Sequence, residues 1–255
     1  MKVSKENPLS PQKQAVVERT QELKKPPRDY SLNPWLAHNE SMNSFAYTFG
    51  GLYPTERAQG ISEGESFQRY IEGILDPLAL KAGKMTAVEF GGPGTKFFSG
   101  FEKGFFGQTF GVCLQDDKSL ESAPTEGPHS VIIGNIFDSA LYRKLSAGLE
   151  KKGVDFIVSR MEGGLLSVSS NTILWATTVK RWYSMLNVNG LMFVQFEIND
   201  TRYPVQNAFI VKKWIQMVRV KYPQLKIEEN EKSFKIHKTP AAPTELPLLD
   251  LDQVT

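Results

Sequence analysis

The sequence is poor in the residues that build metal centres and disulfide scaffolds. Its 255 residues include one cysteine, Cys113, which excludes an internal disulfide and a multi-cysteine metal site. The three histidines, His38, His129 and His237, never fall within a helical turn of one another, which argues against zinc. Excess charge is lacking too. Thirty Lys and Arg stand against 28 Asp and Glu, a net +2, so there is no strong nucleic-acid signal of the kind a phosphate-tracking protein carries. The longest uncharged stretch, Gly163 to Val179, is full of Ser, Thr and Asn and too polar to span a bilayer. "MKVSKENPLSPQKQ" has no apolar core, unlike a secretory signal. A reduced, cytoplasmic setting without a membrane partner is the expectation.

What is present is an ordinary globular composition, 40% hydrophobic and 23% charged, enough for one large domain with appendages. Residues 1–60 read as a helical or irregular extension, 61–239 as the main domain and 240–255 as a flexible tail. Within the extension, 11–25 has helix-forming composition after a Ser-Pro start, and "PPRDYSLNPW" breaks it. The aromatic stretch 41–54 reads as a segment packed on the main domain; Phe45, Tyr47, Phe49 and Tyr53 form either core or a lid. The tail is proline-rich and acidic, the composition of a disordered or loosely docked segment.

Between these ends, helices alternate with strands. "SFQRYIEGILDPLAL" is an amphipathic helix that Pro77 bends or ends. "MTAVEF", "TFGVCLQ", "HSVIIGN", "VDFIVS" and "LMFVQFE" are short, near-continuous apolar runs, as in parallel strands covered on both faces. A helix at 138–153 is capped by Asp138 and closed by Gly153; further helices span 171–190 and 206–223. Two alternating runs around Asn230-Glu231 predict a closing hairpin. The fold class is α/β: a doubly wound, mostly parallel sheet of about seven strands with a C-terminal antiparallel hairpin. The link from the second strand to the third, "DDKSLESAPTEGP", is too broken for a good helix. Cys113, inside an apolar strand, reads as a buried structural thiol.

"VEFGGPGTKFF" sets Glu89 at a strand end, ahead of Gly91, Gly92 and Gly94. In an open parallel sheet, glycines at such a point let a ligand approach the backbone; a plain turn is the alternative. The next strand leads to Asp116-Asp117, where a carboxylate accepts hydrogen bonds from ribose hydroxyls, Asp116 being nearer the strand. G-x-G-x-x-G is incomplete, because Pro93, Lys96 and Phe97 stand where glycines would be needed, and no G-K-[ST] follows. A pyrophosphate cradle is disfavoured. Glu89 would repel a pyrophosphate but suits an ammonium or sulfonium.

With these residues the chain resembles the class I S-adenosylmethionine-dependent methyltransferases over roughly residues 66–238. "EFGGPGT" keeps the acid and first glycine of their acid-x-Gly-x-Gly-x-Gly motif, with Pro93 and Thr95 at the later glycine positions. The resemblance implies S-adenosylmethionine as cofactor and S-adenosylhomocysteine as product. It implies ribose contact at Asp116 or Asp117, adenine contact around Asn135 and Ile136, and an active-site rim at "SRMEGG" with Arg160 and Glu162 as the polar groups. Glu162 is a weak candidate for a base or acceptor-orienting group, and Arg160 for holding an anionic substrate or the cofactor. The amide-methylating Asn/Asp-Pro-Pro-aromatic motif and the Pro-Cys nucleophile are both missing. The expected acceptor is a small molecule or a protein side chain. The rivals are an inactive methyltransferase-like scaffold and a nicotinamide-dependent oxidoreductase, the latter weakened by the absence of Tyr-x-x-x-Lys.

Overall fold

The computed structural model describes residues 49, 51–52, 67–76, 84–114, 128–150, 152–159, 172–195, 206–230 and 232–250. The expected helix at 11–25, the effect of Pro77, the link at 115–127 and the aromatic residues 45, 47 and 53 lie outside them.

The described chain runs α1 (Phe67–Leu75), β1 (Met85–Phe90), α2 (Thr95–Phe98), β2 (Phe106–Cys113), β3 (His129–Ile133), α3 (Ser139–Gly148), β4 (Val154–Ser159), α4 (Thr172–Met185), β5 (Leu186–Gln195), α5 (Gln206–Lys221), β6 (Lys226–Glu229) and β7 (Ser233–His237). The strands form one seven-stranded sheet in the order β3-β2-β1-β4-β5-β7-β6. Pairings among β1 to β5 are parallel; β7 lies antiparallel between β5 and β6. This is the sheet the resemblance implies. Asn230 makes the closing turn, its Oδ1 accepting from the Lys232 and Ser233 amides at 2.7 and 2.8 Å.

Strand alternation sorts the core onto two faces. Val88, Phe90, Phe110, Val112, Ile157 and Met192 face α3, α4 and α5. Met85, Ala87, Phe106, Phe156, Val158 and Phe193 face α1, α2 and the segment at Phe49 and Leu52. On α1 the buried residues Phe67, Gln68, Ile71, Glu72 and Leu75 recur at helical spacing, the stripe that holds it to the sheet. Phe49 stacks on Phe67 (centroids 5.2 Å apart) and meets Phe193 edge-on, so this part of the extension is core. Each such ring contributes about 1.5–3 kcal/mol when fully buried.

Three local expectations are corrected. The helix from Asp138 does begin there, the carboxylate accepting from Ala140 N at 2.8 Å, but it ends at Gly148, and Glu150 takes the positive φ of 51°. Gly153 instead makes room for Asn187, whose Oδ1 would lie 1.9 Å from an added Cβ. The helix predicted to run through Gly190 stops at Met185. β5 starts at once and bulges from Asn187 to Gly190, Val154 pairing with Leu186 while Phe156 pairs with Leu191. The stretch expected as a flexible tail is docked over 239–250: Leu246 is 1% exposed within the α3–α5 core, and Tyr183 Oη donates to the Pro243 carbonyl at 2.6 Å.

Candidate functional site

Successive crossovers carry the chain outward from β1 to β2 and β3, then back across to β4 on the other side of β1. The strand order therefore reverses between β1 and β4, the position at which open parallel sheets bind ligands beyond the carboxyl ends. Phe90 and Ser159 are partners in register at the ends of these two strands. The glycine loop leaves β1 directly after Phe90, and β4 ends beside it at Ser159.

β1 ends because Gly91 adopts φ +101°, a conformation that disfavours any side chain. Its amide donates to the Val112 carbonyl at 2.9 Å, and Gly92 bridges to Val112, so the chain turns sideways over β2. Pro93 then lies directly on β2 at Gly111, where an added Cβ would come within 1.8 Å of the Pro93 carbonyl oxygen. Gly94, at φ +76°, starts the single turn of α2. Two of the three predicted glycines thus meet a backbone demand, and the third forms the bridge.

Glu89 is 1% exposed and sits between Gly111 of β2 and Val158 of β4. Alternation puts it on the α1–α2 face, the face across which the glycine loop is laid. His129 at the start of β3 approaches the same loop. Its Nε2 lies 2.8 Å from the Pro93 carbonyl and its Nδ1 lies 2.8 Å from Thr109 Oγ1. Burial lowers the His129 pKa below 6.5, opposed by the Pro93 hydrogen bond and by the Glu89 charge.

Asn135 and Ile136 follow β3, but each is partly committed. Asn135 Oδ1 accepts from Phe137 N at 3.0 Å, closing a turn ahead of α3. The Ile136 side chain is buried in the α3–α5 core, and its carbonyl accepts from Tyr142 Oη at 2.8 Å. Asp116, Asp117, Arg160 and Glu162 lie outside the described residues. β2 ends at Cys113, three residues before Asp116, and β4 ends at Ser159, next to Arg160.

No family model matches the sequence, and no curated protein matches it either. Solved structures similar to it include S-adenosylmethionine-dependent methyltransferases. The MycE methyltransferase of the mycinamycin biosynthetic pathway, crystallised with magnesium and S-adenosylhomocysteine, is 11% identical at a TM-score of 0.43, over 99% of this chain and 68% of that one. A putative S-adenosylmethionine-dependent methyltransferase from Streptococcus mutans is 19% identical at 0.41, over 68% of this chain and 49% of its own. A TehB-like methyltransferase from Corynebacterium glutamicum is 14% identical at 0.38, over 80% and 100%. At these identities and TM-scores the site stands on its own residues.

Sequence reading missed two of those residues. Gly111 and His129 carry no motif, and their roles exist only once the loop lies on β2. Ser159, the first residue of the expected rim, has its Oγ fully buried with no hydrogen-bond partner among the described residues, as has Trp175 Nε1 on α4. Nothing in a strand-ending serine or a helical tryptophan signals that burial.

Proposed function

We propose that the protein is an S-adenosylmethionine-dependent methyltransferase acting on a small molecule or a protein side chain. The observation that carries this reading is a buried carboxylate, Glu89, beside a glycine loop laid over β2 at the reversal of strand order. Such a site fits a cationic adenosine-containing ligand. A carboxylate there attracts a sulfonium or ammonium and repels a pyrophosphate, which disfavours a nicotinamide dinucleotide.

The positive φ at Gly91 and Gly94 calls for glycine, which leaves those two positions without a side chain between backbone and ligand. Glu89 would hold the cationic end of the cofactor, Asp116 or Asp117 the ribose hydroxyls, and the free amide of Asn135 an adenine edge. Ile136 would contribute a backbone amide or an apolar wall. The cofactor, when bound, supplies an activated methyl group. The protein's own task is proximity and alignment, for which effective molarities of about 10⁵–10⁸ M are the ceiling. Glu162 and Arg160 are the groups proposed to meet the acceptor; a base is required only where the acceptor loses a proton.

A scaffold that has lost the chemistry is the second reading. It is favoured by the commitment of the Asn135 oxygen to a turn and of the Ile136 side chain to the core. Calorimetric titration of S-adenosylmethionine and S-adenosylhomocysteine, with NAD as a control, separates the readings. Micromolar binding of either sulfur ligand, lost when Asp116 and Asp117 are both changed to Ala, supports the enzyme. Silence toward both in a folded sample sinks it.

A further inference from the structure

The glycine loop is held from two strands away. His129 stands on β3, 36 residues from Pro93, yet its imidazole reaches the loop's carbonyl at 2.8 Å. A carbonyl oxygen only accepts, so Nε2 carries the proton. In the neutral ring Nδ1 is then an acceptor, and the Thr109 hydroxyl donates to it at 2.8 Å. The Pro93 carbonyl selects the tautomer, and the Thr109 hydroxyl, which can donate or accept, completes it by donating to Nδ1. Glycine at two positions makes the approach possible. A Cβ on Gly111 would strike the Pro93 carbonyl, and one on Gly94 would lie 3.1 Å from His129 Cε1 and 2.9 Å from the Phe98 ring.

The consequence lies in the peptide plane. With Pro93 C=O turned down onto β2 and β3, the trans peptide turns the Gly94 N–H the opposite way, off the sheet. The His129 hydrogen bond, with the packing of Pro93 on Gly111, holds that donor's direction.

We propose that His129, held by Thr109 at its other ring nitrogen, is a positioning residue that clamps the glycine loop in its ligand-receiving conformation. This rests on the cofactor reading for its function but not for its existence, since the clamp is built without ligand.

Three readouts test it on the full chain. In the protein without added ligand at neutral pH, ¹⁵N spectra of the His129 ring should show protonated Nε2 and bare Nδ1, and Thr109→Val should shift the Nδ1 signal by removing its hydrogen bond. Hydrogen exchange across residues 90–98 should accelerate about tenfold in His129→Phe, which keeps the ring but not its donors. Calorimetry with S-adenosylhomocysteine should show about tenfold weaker binding in His129→Phe and recovery to within about threefold in His129→Gln, whose amide can donate to Pro93. A protonated Nδ1 in the wild type overturns the clamp, as does His129→Phe with unchanged exchange and affinity. If His129→Phe does not fold, the tautomer in wild type and Thr109→Val decides. A wild type that binds no sulfur ligand but shows the tautomer and the exchange effect sinks the methyltransferase reading and supports the clamp.

Discussion

Single residues at the lower end of the sheet show how irregular pairing is kept stable. Pairing slips between Met85 and Thr86 on β1 and between Val154 and Phe156 on β4, which would strand backbone and side-chain donors in the interior. Asp155 answers both slips: one oxygen accepts from Thr86 N and the other from Asn187 Nδ2, each at 2.8 Å. Asp155→Ala leaves the buried Thr86 amide without an acceptor, at about 1–3 kcal/mol, while the half-buried Asn187 amide can turn to water. Urea unfolding should therefore show a loss of about 1–3 kcal/mol; a loss under about 0.5 kcal/mol would mean water replaces the carboxylate at no cost. The residues of the candidate site divide along a similar line. Glu89, Gly91 and Gly94 were legible because an acid at a strand end and glycines beyond it answer local demands of charge and φ. Gly111 and His129 were not, because their meaning is a contact made across a folded surface.

At the level of elements, the sequence was most readable where one pattern ran unbroken between strong breakers. β1 and β4 are continuous apolar runs closed by glycine or polar loops, and their ends fall where the pattern stops. β2 starts three residues earlier than its apolar run suggests, because Phe106-Gly107-Gln108 pairs with β1 despite a glycine and a polar side chain. β5 was hidden by its bulge: "LNVNG" looks like a helix exit, and Asn189 does take φ +68°, but within a strand. The C-terminal segment was the largest misjudgement, and for a physical reason. Proline and acid lower its intrinsic order, yet a few anchors outweigh composition. Leu246 fills the core, Lys180 pairs with Glu245, and Thr239 Oγ1 donates to the Gln224 carbonyl at 2.6 Å. Leu246→Ala should cost about 2–5 kcal/mol in unfolding, the range for a truncated core leucine. A cost below about 0.5 kcal/mol would return the segment to the status of a tail.

At the scale of the molecule, the sheet is an insulated slab whose few titratable groups near neutrality are built in rather than displayed. Burial lowers the pKa of His129 below 6.5, with Glu89 opposing; burial, then the charges of Lys226 and Lys235, lowers that of His237. In the unfolded chain both titrate near 6.5. Between the two values the unfolded chain binds protons that the folded one refuses, so stability rises with pH across that window. It is complete above pH 6.5 and is lost as pH falls through the lowered folded values. The carboxylate side is separate: Glu245, hydrogen-bonded to Lys180, is held below 4.5 and loses its contribution only at more acid pH. Urea midpoints at pH 7.5, 6.5 and 5.5 should therefore fall with acidity before the carboxylates titrate. His129→Gln with His237→Gln should flatten the fall over that range, whatever the two changes do to stability at pH 7.5. A fall of unchanged steepness in the double variant would place the acid sensitivity elsewhere, and would mean that neither histidine is held neutral by the fold.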